Sequence, residues 1–157
     1  MSKLNTITTN TTASVEQINH WLSGFDGSKE TAFPGVYDLG QSMLVHVEPP
    51  DDDDDDVETM IPILGFTWTR KLFINSSPTT TEPTFRRLCE LTVGFMKEFD
   101  GDFWLRGDTD GPIFCRLGDR VGIDEKLLTK RNADDFSAYA SKSWDHFSSE
   151  VNRFGAC

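Results

Sequence analysis

The sequence predicts a single α+β domain, an antiparallel sheet with helices packed on it, in the order helix, three strands, helix, two strands, helix. Three observations carry that expectation. Three segments repeat apolar residues at helical spacing. The segments between them are rich in β-branched and aromatic residues and are broken by Gly, Pro and Asp. The length, 157 residues, is enough for one domain to bury a core of its own.

The elements follow in chain order. Residues 1–13 are polar and Thr-rich, and are expected to form a disordered tail. They hold no continuous apolar stretch that could serve a signal peptide. The domain proper is expected over residues 14–157. It opens at Ser14-Val15-Glu16-Gln17, a capping-box pattern in which hydroxyl and amide satisfy each other's orphan backbone groups. Val15, Ile18, Leu22 and Phe25 then mark one helical face, closed by Gly24 and Gly27. A helix this short is not stable alone, so it must dock on something.

Val36 to Gln41 and Ser42 to Val47 read as two short strands around a Gly turn, or as one bent strand. Pro49-Pro50 ends them. Residues 51–56 are six consecutive aspartates, whose mutual repulsion keeps them out of a sheet and makes them a solvated loop. Residues 60–74 are the most strand-like run, with Pro62 marking an edge or a strand start. A Ser/Thr/Pro linker over residues 75–84 leads to a helix with Pro83 in its first turn. Phe85, Leu88, Leu91, Thr92, Phe95, Met96 and Phe99 trace one face of it, which makes it the central core helix. Residues 103–106 and 113–117 form a hairpin around a Gly/Asp-rich connection, and residues 120–123 a shorter strand. A closing helix from about Asn132 carries Phe136, Tyr139, Ala140, Trp144, Phe147, Val151 and Phe154.

Composition narrows the function. Twenty-six acids against 15 bases give a net charge of −11, which disfavours nucleic acid and anionic membranes and favours a basic partner. No run approaches the ~20 apolar residues of a membrane span. The cysteines are Cys89, Cys115 and Cys157, an odd count without metal-ligand spacing. Cys89 and Cys115 fall in core patterns and read as small hydrophobes, which points to the cytoplasm.

Chemistry-bearing motifs are absent. No nucleophile elbow, Cys–His pattern or Gly-rich phosphate loop occurs, so a binding protein without cofactor is expected rather than an enzyme. His20, His46 and His146 lack metal-ligand spacing and read as surface residues. Asp108-Thr109-Asp110-Gly111 resembles the start of a calcium loop, but Ile113 sits where the turn glycine belongs. Asp100 and Asp102 stand at a helix-to-strand turn, where Asp is expected to bond locally. Trp21 lies beside the Val15-Ile18-Leu22 face and widens the apolar surface of the first helix, the best pointer to an interface.

The element order, with the hairpin segments Val36-Tyr37-Asp38-Leu39-Gly40-Gln41 and Phe103-Trp104-Leu105-Arg106-Gly107-Asp108, resembles the type III secretion chaperone fold of class I secretion chaperones and YbjN-like bacterial proteins. The resemblance implies an acidic, dimeric, non-enzymatic protein that holds an extended effector polypeptide in hydrophobic grooves. It carries the groove to Val15, Ile18, Leu22, Val45, Val47, Phe66 and Trp68. The segment from Phe85 to Leu117, with Phe99-Asp100-Gly101-Asp102 at its turn, is also similar to small bacterial toxin-immunity proteins. That resemblance implies neutralisation of one toxin by covering its active site, with negative charge steering the encounter.

Overall fold

The structure is a computed structural model that describes residues 3–40, 43–48, 68–76, 82–107, 112–118, 120–124 and 145–147. Its elements are β1 (Lys3–Thr9), α1 (Val15–Ser23), β2 (Lys29–Glu30), β3 (Val36–Asp38), β4 (Leu44–Glu48), β5 (Arg70–Ser76), α2 (Glu82–Glu98), β6 (Phe103–Gly107), β7 (Pro112–Leu117), β8 (Arg120–Asp124) and β9 (Asp145–Phe147). The strands form one sheet in the order β2-β3-β4-β5-β1-β6-β7-β8-β9. Neighbours run antiparallel except β8 and β9, which are parallel. The α+β class and the antiparallel sheet agree with the sequence reading.

Alternation along the strands sets the buried face. Ile7 on β1 lies opposite Leu72 on one side and Leu105 on the other. Val45 faces Ile74 and Tyr37, and Leu105 faces Phe114. These residues share one core cluster with Ile18 and Leu22 of α1 and with Leu88, Cys89, Leu91 and Phe95 of α2, so both helices pack on that face. Along α2 the buried residues include Leu88, Leu91, Thr92 and Phe95, while Met96 and Phe99 beyond them pack partly buried against the core. That is the face the sequence spacing marked. The Thr92 hydroxyl is absorbed by donating to the Leu88 carbonyl at 2.8 Å.

Local chemistry matches the sequence at the start of α1. Ser14 Oγ accepts from Gln17 N at 3.1 Å and Gln17 Oε1 accepts from Ser14 N at 2.8 Å, a complete capping box. Between β3 and β4 the chain turns at Gly40, whose φ of +81° a side chain would disfavour. Hydrogen bonds from Leu39 N to Met43 O and from Met43 N to Gly40 O close that turn. Of the two sequence alternatives, two strands around a Gly turn is therefore the one observed.

Several expectations need correction. Residues 1–13 do not form a disordered tail: they contain β1, paired on both sides in the middle of the sheet. The Thr-rich composition looked like solvent-seeking chain. Threonine is β-branched, however, and Thr8 and Thr9 are buried here. Residues 145–147, placed in a closing helix by periodicity, form a strand paired with β8; the rest of that helix lies outside the described residues. Of the strand-like run over residues 60–74, Arg70 onward forms β5, which continues to Ser76 into the presumed linker; residues 60–67 lie outside the described residues. The aspartates at 51–56 also lie outside them. Cys115 is buried and disulfide-bonded rather than a plain apolar filler, which removes the cysteine argument for a reducing compartment. Among the described residues, no helix is long and apolar enough to cross a membrane.

Candidate functional site

The link from β1 to α1 is tied to the turn between α2 and β6. Asp102 is the centre of that tie. Its backbone N donates to Asn10 Oδ1 at 2.6 Å, and its carbonyl accepts from Asn10 N at 3.2 Å and Thr9 Oγ1 at 2.7 Å. Its carboxylate accepts from Asn10 Nδ2 at 3.2 Å and from Gly118 N at 2.7 Å. Asp100, two residues earlier, accepts from Thr11 Oγ1 at 2.7 Å and from Thr12 N and Thr12 Oγ1 at 3.2 and 2.9 Å. The Thr11 and Thr12 hydroxyls and the Thr12 amide hold its carboxyl below the ordinary value of 3.8, so it is anionic at neutral pH. The position of these aspartates at a turn suggested local bonding, but their carboxylates bond Asn10, Thr11, Thr12 and Gly118 instead, because the β1–α1 link lies against the turn.

The tie brings the start of α1 against the end of α2 and leaves a cleft of about 630 Å³ between them, lined by Thr12, Ala13, Glu16, Gln17, His20 and Trp21 on one side and Glu98, Phe99 and Asp100 on the other. Glu16, Gln17, His20 and Trp21 reach it together because residues three to four apart share one helix face. The Trp21 indole meets Phe25, Phe95 and Phe99 edge-on, at centroid distances of 5.4, 6.0 and 5.4 Å. Gly94 makes room for it: a Cβ there would lie 3.3 Å from the indole and 3.4 Å from the Phe25 ring. Among the described residues, the cleft thus joins a fixed aromatic wall to a rim with three carboxylates and neither Lys nor Arg. Among the described residues no three His, Cys, Asp or Glu side chains gather as a metal site would require.

Among the described residues expected to bind a partner, only Trp21 lines this cleft. Ile18, Leu22 and Val45 are wholly inaccessible and Trp68 is 3% exposed, so they belong to this chain's own interior and not to an open groove. The physical reason is that the faces of α1 and the sheet that periodicity identified are the faces that meet each other. Val47 packs partly buried against the same core, Val15 is half-buried on α1, and Phe66 lies outside the described residues. The sequence reading missed Glu16, Glu98 and Phe99 as cleft residues and took His20 for an ordinary surface residue. The i, i+4 pairing of Glu16 with His20 and of Gln17 with Trp21 was visible, but nothing in the sequence placed residues 98–100 opposite them.

Comparison with protein-family models, curated proteins and solved structures finds no match. The functional reading rests on the geometry of the site.

Proposed function

We propose that this protein is a non-enzymatic acidic binding protein whose partner is a basic polypeptide, engaged at the cleft between α1 and the end of α2. The observation that carries this is the cleft itself: an immobilised aromatic wall beneath an acidic rim, on a chain of net charge −11. A cationic protein surface is attracted from a distance by the net charge and finds rings and carboxylates at contact. Of the two resemblances, the immunity-type role fits better. It needs a folded acidic surface that covers a basic domain. The secretion-chaperone role needs exposed apolar grooves, and Ile18, Leu22, Val45 and Trp68 are buried.

The test uses the full-length tagged chain to capture its partner from the native host, followed by kinetics on the purified pair. The expected partner has a basic contact surface, and association slows steeply as salt rises. Association indifferent to ionic strength would overturn the proposal. Limited proteolysis of the same complex separates the two roles. Protection of a folded toxin domain supports neutralisation, and protection of an extended effector segment supports the chaperone role.

A further inference from the structure

We propose that the cleft receives an arginine side chain of the partner, its guanidinium laid against the Trp21 and Phe99 rings and hydrogen-bonded by the rim carboxylates. This deepens, and rests on, the reading of a basic polypeptide partner.

The lining decides among ligand chemistries. An anion would meet Glu16, Glu98 and Asp100, with no Lys or Arg among the described lining residues to balance them. A purely apolar ligand would strip water from those carboxylates without replacing its hydrogen bonds. A metal ion needs ligands gathered at one point, and the described residues offer no such group. A cation with a flat face satisfies both halves of the cleft. Guanidinium stacks on aromatic rings, and its forked N–H groups bond carboxylates; a lysine ammonium, a compact and strongly hydrated charge, uses the rings less well.

Asp100 shares its charge with the nearby Arg116, whereas Glu16 and Glu98 carry theirs at exposed positions. Among the described residues, close contacts between basic and acidic side chains join Arg87 to Glu90 and His46 to Glu48, and neither involves a cleft carboxylate. Asp100 is anchored by Thr11 and Thr12 and supplies fixed charge, while Glu16 and Glu98 stand exposed on their helices, where they can close on the guanidinium.

The experiment titrates the full-length protein with a short, otherwise uncharged peptide carrying one arginine, and with the same peptide carrying citrulline, which keeps the shape and loses the charge. Binding is followed through the Trp21 indole N–H resonance. The arginine peptide is expected to bind and shift that resonance, and the citrulline peptide to leave it in place. The double variant Glu16→Gln/Glu98→Gln, both at exposed positions, is expected to bind the arginine peptide about fivefold to tenfold more weakly with an unchanged unfolding midpoint. Equal binding of the citrulline peptide, or unaltered binding by the double variant, overturns the arginine assignment. The captured partner distinguishes the two levels: salt-sensitive association that the double variant leaves intact removes the cleft assignment alone, whereas salt-insensitive association of the native protein removes the basic-partner reading as well.

Discussion

Arg116 closes the end of α2 from the neighbouring strand. Its Nε donates to Gly101 O at 2.8 Å, Nη1 to Met96 O at 2.6 Å and Nη2 to Phe99 O at 2.7 Å, satisfying carbonyls that a helix end leaves open. Burial pulls its pKa down while Asp102 and Asp100 push it up. Replacing it with Met should lower stability by about 3 kcal/mol, read from the urea midpoint, because partly buried acceptors lose charged donors. Lys should recover only part of that, since one ammonium cannot span the same carbonyls. Gly101 beside it has φ +94°, and a Cβ there would lie 2.5 Å from Asn10 Oδ1. Gly101→Ala should therefore destabilise by about 1–3 kcal/mol in the same assay. Asp100 gives the pH prediction. Its folded pKa is depressed below 3.8, so its contribution is complete above the unfolded value and is lost as pH falls through the folded one. A carboxyl titration by NMR should place its midpoint below 3.8, and Thr11→Val, which removes the first of its donors, should raise that midpoint.

At the scale of elements, α1 is held by the fit of Trp21 over Gly94 more than by its own helicity. A helix running from Val15 to Ser23 is too short to persist alone, and its capping box only fixes where it starts. Trp21→Ala should cost about 3 kcal/mol or more by opening a cavity against Phe25, Phe95 and Phe99, a different outcome from that of a residue serving only a partner. Gly94→Val should displace the indole and weaken the near-UV circular dichroism of the aromatic cluster, with far-UV helicity largely retained. The periodicity of α2 was readable because its buried residues meet the apolar face of the sheet. That of α1 was equally readable, but it marked the interior and not the binding surface.

For the whole molecule, β1 decides the architecture. It is the fifth strand of nine in the sheet order, hydrogen-bonded to β5 on one edge and β6 on the other. Strands β2 to β4 and β6 to β8 belong to opposite halves of the sheet, which β1 joins. Deleting residues 1–9 should therefore abolish cooperative thermal unfolding, whereas a disordered tail could be removed without effect. The deletion would also expose the edges of β5 and β6, and aggregation should accompany it.

The sequence by itself determined the class of fold, both described helices with their buried faces, the capping box at Ser14, the Gly turn before β4 and the hairpin of β6 and β7. Each of these is written in local spacing: a period of two or near four, a cap, or a glycine where φ is positive. Tertiary structure alone decided the rest. A strand such as Lys3–Thr9, with Ile7 as its one inward aliphatic residue between Asn5 and Thr9, looks solvent-seeking until two neighbours satisfy its backbone and the fold buries Thr8 and Thr9. The cleft exists only because Asp100 and Asp102 bind residues 9–12, some ninety positions earlier, setting Glu98 and Phe99 opposite Glu16 and Trp21. No local pattern encodes that approach, because hydrogen bonds across such a separation become favourable only after the sheet between them has formed.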